Sequence, residues 1–356
     1  MSGLAGMTTL GVGGAAGALV TATSRDEIVA AVRAADAAGS PLLVIAGGSN
    51  LVVSDDGWPG TVLALASRGV QLGETDPASG AVLVTAEAGH PWDELVEQTV
   101  QAGLSGLEAL SGIPGSVGAT PVQNVGAYGA EVSQTLVGVD VFDRATDQVK
   151  QFSVGDLRLG YRDSAIKRSI EGGAPRYIVL AVSFRLQADE GRPVAYQQLA
   201  SALGVGVGER AAPADVRRVV LELRASKGMV LDPQDPDTRS CGSFFTNPIV
   251  EAAVAEALPA DAPRYPVATA GQLKLSAAWL IENAGFHKGF GLAGTPGEEL
   301  AQGRASLSTK HTLALTNRGD ASCQDVLAVA RAVRDGVEAT WGIRMDHEPL
   351  FIGVAL

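Results

Sequence analysis

The sequence predicts a mixed α/β chain arranged as a ligand scaffold, and three observations carry that expectation. Amphipathic stretches of helical period alternate with short runs rich in Val, Leu and Ile, the pattern of helices laid against strands. The 44 glycines gather in discrete places rather than in repeats, which suits tight backbone turns around a ligand better than flexible linkers. The 356 residues, 46% of them hydrophobic, suffice for two or three domains with a substantial core.

Taken in chain order, "SRDEIVAAVRAADAAGS" has Ser24 as a cap, acids in its first turn and Gly39 as a stop, so it predicts a helix. "PLLVIA" directly after it predicts a buried strand. Strands come next at "TVLAL" and "AVLVTAEA", then a helix at "HPWDELVEQTVQAG", where His90 helps start the turn. "LVGVDVFDRA" and "RYIVLAVSFRL" read as strands. Near residue 213 "AAPADV" closes a glycine-rich loop and opens the helix "PADVRRVVLELRASKG", and Pro-rich "LDPQDPDT" comes after it, so a domain boundary is expected there. "SAAWLIENAG" and "SCQDVLAVARAVRDGVEATWG" predict helices and "TLALTN" a strand.

Composition excludes several classes. A net charge of -12 and the absence of any long Lys/Arg run argue against nucleic-acid backbone binding, although a few placed cations could hold a small anion. Two distant cysteines, Cys241 and Cys323, and four scattered histidines make neither a disulfide framework nor a metal site, and a reducing compartment fits them. The first twenty residues lack a basic start and are rich in glycine, which suits loops; neither a signal peptide nor a membrane span is expected.

Two glycine-rich segments draw attention. "LLVIA" runs into "GGSN", Gly47 to Asn50, where backbone N–H groups can converge on an anion and Ser49 and Asn50 can add side-chain bonds. The residues after Asn50 are not helical in pattern, so neither the Rossmann nor the P-loop signature is met, and GGSN alone reads equally as a tight turn. "SGIPGSVGATPVQNVGAYGAEV", Ser111 to Val132, has little bulk for a core and interleaves Ser111, Ser116, Gln123 and Asn124 among small residues, as a wrap around an extended polar cofactor would. Together the two segments favour a dinucleotide pyrophosphate.

"AGGSNLVVSDDGWPGTVLAL", "GIPGSVGATPVQNVGAYGAEV", "YRDSAIK", "GSFFTNP", "LSAAWLIENAG" and "HEPLFIG" occur in that order over nearly the whole chain. In this they resemble the UDP-N-acetylenolpyruvoylglucosamine reductase family, flavoenzymes of peptidoglycan precursor synthesis, in the form with a tyrosine-bearing lid loop. The first half is similar to the wider flavin-binding fold of vanillyl-alcohol oxidase and p-cresol methylhydroxylase. The resemblance implies an α+β fold: a two-part FAD-binding module, residues 1–66 with 333–356 and residues 67–212, plus a smaller α/β substrate-binding domain, 213–332. It implies non-covalent FAD, NADPH as co-substrate, no metal and a cytoplasmic enzyme. Gly47, Gly48, Ser49, Asn50, Leu51, Ser111, Gly112, Pro114, Gly115, Ser116, Gly118, Ala119, Asn124, Gly126, Ala127 and Tyr128 are the cofactor-binding positions it implies.

The same resemblance implies a two-stage reaction in which NADPH reduces FAD and hydride then reaches the β-carbon of an enolpyruvyl UDP-sugar. Charge must be taken up at the neighbouring carboxylate, and a guanidinium such as Arg162 grips a carboxylate with two parallel bonds; an ion pair with Asp163 is its plainer alternative. Glu348, just before an apolar terminal strand, takes an active-site place, although the family's frequent arginine two residues on is Leu350 here. The α-carbon then needs a proton from a group within hydrogen-bond reach, and the resemblance gives that role to Ser243. Cys241 is the competing acid, with a thiol ordinarily near about 8.5; in an extended segment it lies roughly 7 Å from residue 243 and both cannot touch one carbon. Tyr161, Tyr196, Lys227, Asn247, Glu282, Asn283, Lys310 and His311 are the implied substrate-binding residues. Two other readings stay open: an FAD-dependent alcohol or sugar oxidase on the same fold, with His90 available for covalent flavin, and a non-catalytic UDP-sugar-binding protein.

Overall fold

Capping chemistry starts the first helix where the sequence places it. The computed structural model describes residues 3–267 and 269–356; Met1 and Ser2 of the expected 1–66 segment, and Ala268 of 213–332, lie outside the described residues. Ser24 is extended and its hydroxyl accepts the Glu27 N–H at 3.3 Å, the helix runs Arg25–Ala37, and Gly39 at φ 61° closes it. Ile28, Val32 and Ala35 on one face are buried with Leu42 and Leu63 of the adjoining strands. Burying an Ile or Val side chain in this way contributes roughly 1.5–3 kcal/mol.

The chain divides into two units, one made of Ala16–Gly48 and Trp58–Val230, the other of Gly3–Ala15, Ser49–Gly57 and Leu231–Leu356. In the first, strand Trp58–Leu65 is flanked by Ala16–Ala22 and Leu42–Ile45, all parallel. Ala16–Ala22 departs from the loop expected of the glycine-rich N-terminus. It is an edge strand, its Leu19 and Val20 are both exposed, and no apolar alternation announces it.

A second sheet in this unit is antiparallel, in the order Gln148–Ser153, Leu136–Asp143, Tyr177–Gln187, Ala81–Glu87, Val70–Thr75. Val84, Val139, Val182 and Phe184 from its inner strands bury with Trp92 and Leu95 of helix Trp92–Gln101 and with Val117 of the glycine-rich stretch. The long glycine-rich segment is therefore pinned on a rigid sheet-and-helix core.

In the second unit, Leu51–Val53 pairs in parallel with the C-terminal strand Leu350–Ile352. A three-stranded antiparallel sheet (Ile249–Glu251, Gln272–Leu275, Arg264–Pro266) and a hairpin (Ala305–Leu307 with Leu315–Asn317) pack with helices Ala277–Asn283 and Cys323–Trp341. The long helix starts at a capping box of Ser322 and Asp325 and ends at Gly342, φ 67°. Asp55 adds its carboxylate to the Cys323 and Gln324 N–H groups at 2.7 and 3.1 Å, a favourable place for negative charge.

The unit boundaries fall at 15/16, 48/49, 57/58 and 230/231, where the sequence suggested 66/67, 212/213 and 332/333. Two elements explain the difference. Helix Pro213–Ala225, with proline in its first turn as expected, buries Val216, Val219 and Val220 against Leu199 and Ala200 of the first unit. Helix Cys323–Trp341 is continuous through residue 333 and stays whole in the second.

Candidate active site

The short glycine run and the long one meet in the first unit. A Cβ on Gly47 would lie 2.5 Å from Gly115 Cα, closer than a side chain can sit, so the two backbones touch because both positions lack one. Gly48 comes next, in the left-handed region at φ 58°. Ser49, Asn50 and Leu51 continue into the second unit, where Asn50 O accepts the Leu350 N–H at 2.9 Å and Leu51 pairs with Leu350.

The long stretch is held by its own polar residues. Ser111 Oγ donates to Glu108 O at 2.7 Å, and the Gly112 N–H donates to Asp93 at 2.6 Å, where Arg217 also bonds at 2.7 and 2.9 Å. Burial alone would raise the Asp93 carboxyl, but the Arg217 bonds and the Gly112 N–H hold it below its ordinary value. Past Pro114, Gly115 and Ser116 run beside Pro91 and Trp92, and Gly118 N donates to Ala88 O at 2.9 Å within the short turn Val117–Ala119. Asn124 uses its whole amide: Nδ2 donates to Glu131 at 2.8 Å and to Gly160 O at 3.1 Å, and Oδ1 accepts the Ser133 N–H at 3.2 Å.

That network seats Arg162. Its Nη2 donates to Gly126 O at 2.9 Å and its guanidinium lies 5.4 Å from the Tyr161 ring centre. Asp163, the plainer partner expected for it, pairs with Arg168. Asn124, Tyr128 and Arg162 are three of the six non-glycine residues with positive φ among the described residues, at 47°, 50° and 54°. Asn visits this region readily, but for Tyr128 and Arg162 it is uncommon, and such backbone concentrates where a fixed geometry is required.

Beyond the short strand Gly126–Ala127, Tyr128 meets Tyr196 edge to face at 5.8 Å, and Lys227 Nζ sits 5.7 Å over the Tyr128 ring while donating to Gln198 at 2.8 Å. Tyr196 is 44% exposed, so this face is open. Arg224 belongs here too and sequence reasoning passed over it. Its Nη2 donates to Met229 O at 2.8 Å, and its Nε is buried with no partner among the described residues, 3.3 Å from where a Gly112 Cβ would stand. Burial pushes its guanidinium down, with the Tyr128 and Asp93 charges opposing. The available signal was its spacing, three residues before Lys227.

In the second unit "SCGSFFTNP" is threaded between two chain segments. Ser243 bridges Ala314 while Phe244 N donates to Leu313 O at 2.7 Å; on the other side Glu348 N donates to Phe244 O at 2.9 Å and Phe245 bridges His347. Ser243 and Glu348 thus lie on neighbouring chain segments, joined through the Phe244 carbonyl, and Asn50 Nδ2 reaches Glu348 O at 3.5 Å. The Ser243 hydroxyl is partly exposed and makes no hydrogen bond to the described residues. Cys241 is buried, and burial first, then the Glu348 charge, pushes its thiol up to about 12. Phe244 and Phe245 are core residues, in edge-to-face contact at 5.2 Å.

The remaining expected substrate residues are less gathered. Asn247 Oδ1 accepts the Ala277 N–H at 2.9 Å at the start of helix Ala277–Asn283. Glu282 accepts the Thr312 hydroxyl, Asn283 Nδ2 donates to Trp279 O at 2.9 Å, and Lys310 pairs with Asp235 at 2.6 Å. His311 lies in the turn of the adjoining hairpin, its N–H on Ser308 Oγ at 3.1 Å.

Residues 16–153 match the family model described as an FAD binding domain, and residues 233–352 the one described as UDP-N-acetylenolpyruvoylglucosamine reductase, C-terminal domain. Curated reductases of that name are 50% identical in Thermobifida fusca, over 99% of this chain and 97% of the relative, and 52% identical in Saccharopolyspora erythraea, over 100% and 96%. The chain belongs to the UDP-N-acetylenolpyruvoylglucosamine reductase family. A crystal structure of the reductase from Thermus caldophilus covers 98% of this chain and 97% of its own at 26% identity, with a TM-score of 0.63. The α+β architecture is therefore an FAD-binding module followed by the C-terminal domain of this reductase family, and the protein is an FAD-dependent oxidoreductase. The first unit fits the cofactor on its own terms: a Gly47–Gly115 approach that a Cβ would close, and a buried Ser116 hydroxyl with no partner among the described residues. Among the described residues no helix is long and apolar enough to cross a membrane.

Proposed function

We propose that this protein is a cytoplasmic enzyme that reduces the enolpyruvyl ether of a UDP-sugar, UDP-N-acetylglucosamine enolpyruvate, to UDP-N-acetylmuramate for peptidoglycan synthesis, with NADPH as reductant. The observation that carries the reading is the threading of Ser243 beside Glu348, with a hydroxyl that has no bond to the described residues. FAD, when bound, supplies a hydride carrier between NADPH and the substrate β-carbon. The GGSN run and the Ser111–Tyr128 stretch hold it, where glycines without side chains let the backbone come close.

Arg162 grips the substrate carboxylate and stabilises the charge that develops there as the β-carbon is reduced. Its anchorage on Gly126 O and its fixed backbone support a pre-set orientation. Ser243 Oγ–H gives its proton to the α-carbon: the O–H bond breaks, a C–H bond forms, and the alkoxide regains a proton from solvent. Glu348 steadies the charged intermediate or the arginine. Lys227, Tyr196 and Tyr128, supported by Arg224, take the diphosphate, whose two charges require cations and donors. Asn247, Glu282, Asn283, Tyr161, Lys310 and His311 are assigned to the rest of the UDP-sugar.

The test is NADPH oxidation by the purified flavoprotein with and without the enolpyruvyl UDP-sugar. Bleaching of the flavin by NADPH, then recovery of its colour that depends on the UDP-sugar and not on oxygen, is expected. Oxygen-dependent turnover of an alcohol or sugar would favour an oxidase, and a purified protein that cannot carry flavin would leave only the binding-protein reading.

A further inference from the structure

His90 does not take the helix-starting role the sequence offered it. Helix Trp92–Gln101 begins with Pro91 in the cap position and no side-chain cap bond, so the imidazole does not start it. Yet His90 is 6% exposed, and neither Nδ1 nor Nε2 has a partner among the described residues. Leaving a buried donor or acceptor without a hydrogen bond is unfavourable, so two such atoms on one ring are kept against a continuous penalty.

The place where that penalty falls is informative. His90 O accepts the Val117 N–H at 2.9 Å, Pro91 bridges Ser116, and Trp92 N donates to Gly115 O at 3.0 Å. The histidine is therefore stitched to the residues of the glycine-rich stretch that fit FAD. Ser116, opposite Pro91 on the same ladder, is 4% exposed, and its Oγ is also without a partner among the described residues. Three orphaned polar atoms thus sit on two adjoining backbone segments, both against the cofactor cradle. Burial is the largest influence on the ring and pushes it below its ordinary value, with Glu94 opposing and Arg68 adding. Those two charges are paired with each other at 2.8 Å and bond neither ring nitrogen. His90 is therefore a neutral imidazole offering one donor and one acceptor.

We propose that His90, together with the Ser116 hydroxyl, hydrogen-bonds bound FAD and is a cofactor-positioning residue of this protein. A neutral donor and acceptor beside a hydroxyl match the mixed carbonyl, hydroxyl and phosphate oxygens of a flavin dinucleotide, and the attachment is non-covalent.

The experiment titrates FAD into the stripped full-length chain and reads the dissociation constant by flavin fluorescence for wild type, His90→Ala, His90→Gln and Ser116→Ala. His90→Ala is expected to weaken FAD at least tenfold and to shrink the rise in Tm that FAD gives, while His90→Gln, which keeps a donor and an acceptor, recovers most of both. His90→Ala combined with Ser116→Ala is expected to cost less than the product of the single losses. An FAD affinity within twofold of wild type in His90→Ala would overturn the proposal. So would His90→Phe raising the Tm of the FAD-free chain with FAD affinity unchanged, the signature of an orphan whose removal merely relieves the core. Flavin remaining on the denatured wild-type chain would refute the non-covalent bond.

Discussion

A thiol is the stronger acid in water, yet Cys241 is unsuited to give a proton here. It is buried among Phe244, Phe245 and other core residues, and its thiol is pushed up to about 12 by that burial and by the Glu348 charge. A neutral thiol is the favoured form in the fold, so its contribution to stability is complete below the ordinary thiol value and is lost as pH rises from there toward about 12. Iodoacetamide at pH 8 is therefore expected to leave Cys241 unmodified in the native protein while alkylating it readily in urea, as peptide mass spectrometry would record; rapid native labelling would contradict the burial. Ser243, two residues on, has the opposite character, with a partly exposed hydroxyl that makes no bond to the described residues. The choice between the two was legible in the sequence only as an alternative, because in an extended segment residues 241 and 243 lie roughly 7 Å apart and both cannot touch one carbon. The partners of Arg162 were not, since Gly126 O lies 36 residues away and only the folded loop brings it near.

Among elements, the glycine segments carry the most function per residue. Gly47→Ala would drive a methyl into Gly115 Cα, and neither backbone can yield without disturbing the turn. Its expected outcome is loss of bound flavin by at least tenfold in affinity with the far-UV circular dichroism nearly unchanged; full flavin content after purification would show that the close approach is not needed. Helices with complete start and stop signals were legible from sequence, Arg25–Ala37 and Cys323–Trp341 above all, because capping is local chemistry. Strand Ala16–Ala22 was not, because an edge strand exposing Leu19 and Val20 has no alternating pattern. The capping role of Asn247 was only half visible: the proline after it signals a turn, but the Ala277 N–H it accepts is 30 residues away.

At the scale of the whole molecule, the family blocks run from end to end and relatives match over nearly all of their own length, so the chemistry belongs to the full chain. The two units gather residues from distant parts of the chain. The terminal strand Leu350–Ile352 pairs with Leu51–Val53, two segments the sequence reading also groups, while helix Pro213–Ala225 lies in the first unit, because burial decides membership and chain position does not. The first unit contains Gly47, Gly48, the Ser111–Tyr128 stretch, Arg162 and the Tyr128, Tyr196 and Lys227 cluster; the second contains Ser49, Asn50, Ser243 and Glu348. Because Ser243 is proposed to act on the substrate alone, its loss should slow one half-reaction without the other. The most direct measurement is stopped-flow absorbance of Ser243→Ala in each half: flavin reduction by NADPH, then flavin reoxidation by the enolpyruvyl UDP-sugar. The account predicts reduction within about twofold of wild type and reoxidation slowed by at least the roughly 10²–10⁴-fold typical of a lost general acid. Equal slowing of both halves, or reoxidation at the wild-type rate, would contradict it.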